Sequence, residues 1–172
     1  MLKVGDKAPS FCIPNQDDVE ICLRDITGRW IVLYFYPRDN TPGCTTQACD
    51  FTHAIDDFDD LDAFIFGVSP DSSKKHRNFI EKKELGITLL ADEETAVCKD
   101  YGVWQLKKFM GKEYMGVVRT TYIIDPDGNI ASIWDKVSVR KKKKTQGVVT
   151  ETLHVDEVKE ALLKLQNNYQ AK

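Results

Sequence analysis

Apolar positions along the chain change period several times, and each change marks an element. Phe11 to Pro14 and Val19 to Leu23, separated by the polar Asn15-Gln16-Asp17-Asp18, read as a small β-hairpin. Ile31-Val32-Leu33-Tyr34-Phe35-Tyr36 is apolar at every position and closes at Pro37, the pattern of a strand buried on both faces. Thr45 to Leu61 carries Ala48, Phe51, Ile55 and Phe58 at spacings of three and four, which predicts one helix with a single buried face. Ala63 to Val68 predicts a second buried strand, Ser72 to Leu85 a second helix and Ile87 to Leu90 a short strand; a further helix opens near Asp92 and carries Cys98. Thr120–Ile124 and Asn129–Trp134 flank Asp125-Pro126-Asp127-Gly128, a strong hairpin signal. Asp156 to Gln166 places Val158, Ala161, Leu162 and Leu165 on one helical face.

Strands alternating with helices, followed by an antiparallel hairpin, define the α/β class with a mixed central sheet flanked by helices. A thioredoxin-like fold with an N-terminal β-hairpin extension has this order of elements. At 172 residues, with no repeat or low-complexity boundary, residues 1–172 read as a single domain. Hydrophobic residues at 42% supply a core, which argues against disorder. The net charge of −3 argues against non-specific nucleic-acid binding. The longest apolar run, Trp30 to Tyr36, is far short of the ~20 residues that span a bilayer, and the N-terminus lacks the apolar core of a secretory signal.

Five cysteines is an odd count, without a CxxC pair or zinc-ligand spacing, and His53, His76 and His154 lie far apart. No metal or cofactor is expected. The usage points to the cytoplasm, where cysteines serve as structural thiols or redox groups. Cys12 and Cys22, on the two hairpin arms and flanked by apolar residues, read as buried small hydrophobes. His53 reads as a helix-surface residue, and the basic run Arg140 to Lys144 as a solvated loop that could also meet an acidic partner.

Cys44 differs from these. It follows the buried strand in Pro37-Arg38-Asp39-Asn40-Thr41-Pro42-Gly43-Cys44-Thr45-Thr46-Gln47-Ala48-Cys49, at the start of a helix. Unpaired N–H groups and the positive end of the helix dipole stabilise an anion there, and a thiolate is such an anion. Cys49 follows five positions later. On an ideal helix that spacing sets the two Cα atoms roughly 8–9 Å apart, beyond the ~7 Å that a disulfide can bridge. If the two pair, the first turns of the helix must unwind.

The string Pro37-(three residues)-Thr41-(two residues)-Cys44 resembles the active-site signature of the peroxiredoxins. Thr41-Pro42-Gly43-Cys44-Thr45 with Cys49 is similar to the PrxQ, or bacterioferritin comigratory protein, branch. Lys7-Ala8-Pro9-Ser10-Phe11, Tyr101-Gly102-Val103-Trp104 and Arg119-Thr120-Thr121-Tyr122-Ile123-Ile124-Asp125 extend the resemblance over nearly the whole chain. It implies that Cys44 is the peroxidatic cysteine, which attacks a hydroperoxide and becomes a sulfenic acid. It implies that Thr41 orients the peroxide, that Arg119 stabilises the developing charge, and that Pro37 and Gly43 shape the substrate pocket. Cys49 matches the resolving cysteine of an intramolecular disulfide, reduced by thioredoxin or a similar dithiol, with Cys98 as its rival.

Gln47 stands where many relatives carry Glu, and no role is transferred to it. A monomer or weak dimer is the expected state. The activity implied is an atypical 2-Cys thiol peroxidase acting on hydrogen peroxide and organic hydroperoxides. A peroxide-sensing redox switch and a thiol–disulfide oxidoreductase are the alternatives.

Overall fold

The computed structural model describes residues 2–170. Its N-terminal hairpin pairs β1 (Cys12–Pro14) with β2 (Glu20–Cys22), around a turn in which the Asn15 side-chain oxygen accepts from the amides of Asp17 and Val19. A short helix, α1 (Leu23–Ile26), leads into β3 (Trp30–Phe35), every residue of which is buried. Then come α2 (Pro42–His53), α3 (Ile55–Asp60), β4 (Ala63–Ser69), α4 (Ser73–Lys83), β5 (Thr88–Ala91) and α5 (Ala96–Asp100). Three hairpins follow: β6 (Trp104–Phe109) with β7 (Lys112–Val117), β8 (Thr120–Ile124) with β9 (Ile130–Trp134), and β10 (Arg140–Thr145) with β11 (Val148–Leu153). Helix α6 (His154–Gln170) is the last element.

The central sheet has the order β5-β4-β3-β8-β9, parallel among β3, β4 and β5 and antiparallel across β3-β8-β9. Strand alternation at its middle, β3, divides the core in two. Val32, Tyr34 and Tyr36 face Ala48 and Phe51 of α2, Phe58 of α3, Phe79 of α4, and Val158 and Leu162 of α6. Ile31, Leu33 and Phe35 face Phe11, Leu23, Val97, Cys98 and Tyr101. The mixed sheet with helices on both faces and the N-terminal hairpin agree with the sequence reading.

Three elements differ from it. The helix expected over Thr45 to Leu61 is two helices, because the backbone leaves α geometry at Ala54 (φ −98°, ψ 3°), whose amide is shared between the carbonyls of Asp50 and Phe51. The apolar period runs on across the break: Phe51 and Phe58 are both fully buried, so sequence periodicity could not reveal it. The basic run is no loop. Arg140–Thr145 forms β10, whose partner β11 is joined to it through Gln146 and Gly147, both at positive φ, as a type I′ turn requires. The β6–β7 hairpin turns in the same way through Met110 and Gly111. Neither Gln-Gly nor Met-Gly is a strong turn signal, and the exposed β10 lacks a one-faced apolar alternation.

At β4 the sheet passes so close to its neighbours that only glycine fits. A Cβ on Gly67 would stand 2.7 Å from Tyr34 Cζ and 2.8 Å from Leu89 Cδ2. Overpacking of this kind costs ~1–3 kcal/mol. Gly67→Ala is therefore expected to lower the stability measured by urea unfolding by about that amount; an unchanged midpoint would contradict the close approach.

Candidate active site

Strand β3 delivers the chain to the site. Pro37 is half-buried, Arg38 and Asn40 are exposed, and between them Asp39 turns inward. Its carboxylate accepts from the Tyr36 hydroxyl at 2.5 Å and meets His76 Nδ1 at 2.6 Å, while its backbone N–H donates to Asp71 Oδ2 at 2.8 Å. His76 Nε2 lies 3.0 Å from the carbonyl oxygen of Leu90. A carbonyl only accepts, so Nε2 donates to it. Tyr36, Asp39, Asp71 and His76 are all buried, and together they pin the loop to α4 and to the end of β5. Sequence reasoning passed over this network because its members come from separate elements with no common motif.

Thr41 then takes extended geometry as the N-cap of α2 (φ −94°, ψ 154°), and Pro42 occupies the first turn, where a missing N–H costs no helical bond. Cys44 falls in that first turn with 2% of its surface exposed, beneath the exposed Pro42 and Gly43. The Thr41 hydroxyl donates to the carbonyl oxygen of Arg38 at 2.8 Å, so it is engaged within the loop rather than with the sulfur.

Arg119, immediately before β8, joins the two ends of this turn. Its Nη2 lies 3.2 Å from Cys44 Sγ and its Nη1 donates to Gln47 Oε1 at 2.6 Å. Gln47 is wholly buried, and its Nε2 has no partner among the described residues. A Cβ on Gly43 would stand 3.3 Å from Arg119 Nη2, so the glycine leaves the guanidinium its approach to the sulfur. Tyr34 lies below, its hydroxyl also unpartnered; burial first, and then the negative charge of Cys44 and Asp39, pushes its ionisation well up. Lys107, on β6, donates from Nζ to the carbonyl of Val117 at 3.0 Å, and burial followed by the charge of Arg119 holds its pKa down. Neither Tyr34 nor Lys107 carries a sequence signal beyond core or surface.

Cys49 is half-buried on the same uninterrupted α2 and packs on the same core cluster as Cys44. Cys98 does not. It is fully buried in the cluster on the opposite face of the sheet, its backbone N–H donates to Asp92 Oδ2 at 2.8 Å, and burial together with the Asp92 carboxylate pushes its thiol well up. Cys12 and Cys22 correct the reading of two buried thiols: they form a disulfide across the N-terminal hairpin, and Cys12 is exposed. They occupy directly opposed positions on an antiparallel pair, which brings their side chains together. His53 is exposed at the end of α2, as expected. Arg140 reaches back from β10 to the buried Asp50 of α2, with Nη2 at 2.6 Å and Nε at 3.2 Å.

A strand-to-helix turn that buries one thiol against an arginine is suited to holding a negatively charged sulfur, and the comparisons with known proteins name thiol peroxidases. The profile described as AhpC/TSA family matches residues 4–133. Peroxiredoxin Bcp of Bacillus subtilis (strain 168) is 48% identical over 139 residues, which cover 81% of this chain and 88% of that protein. Peroxiredoxin Bcp of Escherichia coli (strain K12) is 43% identical over 134 residues, 78% of this chain and 86% of that one. Among solved structures, Xanthomonas campestris peroxiredoxin Q superposes with a TM-score of 0.77 at 36% identity over 90% of both chains. A cysteine-to-serine mutant of Xylella fastidiosa PrxQ gives 0.81 at 30% identity over 98% of both. The chain belongs to the AhpC/TSA family, the peroxiredoxins. Bcp and PrxQ proteins are among its relatives within that family.

Behind Arg119, His154 opens α6 with its Nε2 2.8 Å from Thr121 Oγ1. Burial, and then the charges of Lys141 and Arg119, lower its pKa to about 4. The neutral ring is the folded form. Stability from this group is complete above the unfolded value of roughly 6.5 and is lost as pH falls from there through about 4. Urea unfolding across that window should show a decline of up to ~3 kcal/mol from this group, absent in His154→Gln. Equal pH dependence in the two proteins would contradict the assignment.

Proposed function

We propose that this peroxiredoxin reduces hydrogen peroxide and organic hydroperoxides through Cys44, and closes a Cys44–Cys49 disulfide that thioredoxin or a similar dithiol protein reopens. The observation that carries the reading is the bridge from Arg119 to both Cys44 Sγ and Gln47 Oε1. A guanidinium is permanently charged, so it supports negative charge on the sulfur and then on the oxygen that leaves. The Cys44 thiolate attacks the terminal peroxide oxygen; the O–O bond breaks, the alcohol or water departs with a proton, and sulfenic acid remains on sulfur. Cys49 displaces that oxygen as water, forming the S–S bond, and the external dithiol exchanges with it. One Xanthomonas campestris relative, solved in trapped-intermediate and ligand complexes, is described by its alkyl peroxide reduction activity.

Thr41 and Gly43 would line the approach to the sulfur, with the Thr41 hydroxyl turning from Arg38 to the peroxide, and Pro37 would limit solvent at its back. Cys49 is favoured over Cys98 because it shares a face of the sheet with Cys44, whereas the strands separate Cys98 from it. Both cysteines sit on one helix, so the cycle needs no second subunit, which fits a single-domain monomer or weak dimer. A cytoplasmic location fits the need for a dithiol reductant.

Stopped-flow reaction with hydrogen peroxide, followed by Trp fluorescence, tests the roles. The fast phase should vanish in Cys44→Ser, and only the later phase should vanish in Cys49→Ser. Arg119→Lys keeps a charge but loses the fork, and should slow the fast phase by about 10²-fold. A Cys44→Ser protein that reacts like wild type, or a Cys44–Cys98 bond in the peptide map of oxidised protein, would overturn the scheme.

A further inference from the structure

The N-terminal hairpin carries a cysteine pair that the reaction at Cys44 does not use. Cys12 and Cys22 face each other in register with their Cα atoms 4.0 Å apart, so their sulfurs can join or part without any change of backbone pairing. In this they are the opposite of Cys44 and Cys49. The hairpin is a separate two-stranded sheet, held to the body by contacts other than the disulfide. Asn15 bridges to Leu90, Gln16 Oε1 accepts from the Leu89 amide at 3.1 Å, and Arg77 Nη1 donates to the Gln16 carbonyl at 2.8 Å. With the bond open, the arms remain in place to close again.

Access is equally distinct. Cys22 is buried, but Cys12 is exposed and lines an open cleft of about 510 Å³ shared with Ser10, Ile13, Glu93 and Glu94. The cleft lies on the Cys98 side of the sheet, so its chemistry is physically separated from Cys44. Cys98 cannot replace either partner, since it is fully buried and its thiol is disfavoured for ionisation. Glu20 Oε1 stands 3.6 Å from Cys22 Sγ, so the thiol formed on opening would find a hydrogen-bond acceptor beside it.

We propose that Cys12 and Cys22 are a second redox centre of this protein, opened by a dithiol protein and closed by hydroperoxide. In opening, a thiolate of the reductant attacks the exposed Cys12 sulfur; the Cys12–Cys22 bond breaks and Cys22 leaves and takes a proton. The reductant's second thiol then displaces Cys12, so two electrons pass and the reductant is left as a disulfide. In closing, the Cys12 thiol releases its proton to solvent and the sulfur attacks a hydroperoxide; the O–O bond breaks, a sulfenic acid remains, and the leaving oxygen takes a proton from solvent to depart as alcohol or water. The Cys22 sulfur attacks that sulfenic acid, the S–S bond forms, and the departing hydroxyl takes up the Cys22 thiol proton and leaves as water. Glu93 and Glu94 at the mouth favour a reductant that approaches with a neutral or basic face.

The test uses the full chain with Cys44, Cys49 and Cys98 all changed to Ser, so that only this pair remains. Incubation with thioredoxin, its reductase and NADPH should give two alkylatable cysteines, located at Cys12 and Cys22. Removing the reductant and adding hydrogen peroxide should return both to the disulfide, with the loss of two hydrogen masses. Cysteines that stay bonded under conditions that open the Cys44–Cys49 disulfide of wild type mark an inert staple and overturn the proposal. Thiols that persist after peroxide overturn it equally. If the triple variant does not fold, peptide mapping of the single Cys44→Ser protein under the same treatments gives the same two readings. Because Cys44 is absent from the variant, a negative result leaves the peroxidase reading untouched, and Cys12→Ser should leave the fast Cys44 phase unchanged.

Discussion

An intact α2 holds the sulfur of Cys44 against Arg119 and, through the same backbone, keeps it out of reach of Cys49. Both consequences come from one set of helical hydrogen bonds. The first turn positions the thiol at 3.2 Å from the guanidinium, and the same turn fixes a five-residue rise that no disulfide can span. In the proposed cycle the site therefore cannot be optimal for both halves at once: the intact helix suits the attack on peroxide, and disulfide closure would have to dismantle it.

The structure distributes stability along α2 in a way that suits this sequence of events. Beyond Cys49 the helix is anchored: Phe51 stacks on Tyr34 with ring centroids 4.6 Å apart, and the buried Asp50 is held by two nitrogens of Arg140. Before Cys49 it buries only Cys44, Gln47 and Ala48, and its residues include Gly43, Thr45 and Thr46, all weak helix formers. Upstream, Asp39 is locked by Tyr36, His76 and Asp71. A stretch whose side-chain hydrogen bonds to Arg119 run through Cys44 and Gln47 lies between two otherwise anchored ones, so unwinding can be confined to the turns that separate the cysteines.

Much of this was legible in the sequence. The unbroken apolar run of β3, the Thr-Pro-Gly turn and the position of Cys44 at the start of a helix followed from local rules, and so did the incompatibility of Cys44 and Cys49 on an intact helix. What escaped depended on long-range contacts. Cys12 and Cys22 read as apolar neighbours, and only the strand register makes them partners. Arg140 read as one member of a basic run, until the β10–β11 hairpin carried it to Asp50, 90 positions away. The Asp39–His76 pair joins residues 37 positions apart with no spacing rule to announce them. The break at Ala54 was hidden because the apolar period continues through it.

The central claim is that disulfide closure unwinds the first turns of α2 while its second half stays folded. Amide hydrogen exchange on the reduced protein and on the peroxide-oxidised protein, resolved to residues 42–53, tests it directly. The account predicts that protection of the amides from Thr45 to Cys49 collapses on oxidation and that protection around Phe51 is retained. Unchanged protection from Thr45 to Cys49 in protein whose Cys44–Cys49 disulfide has been verified would contradict it.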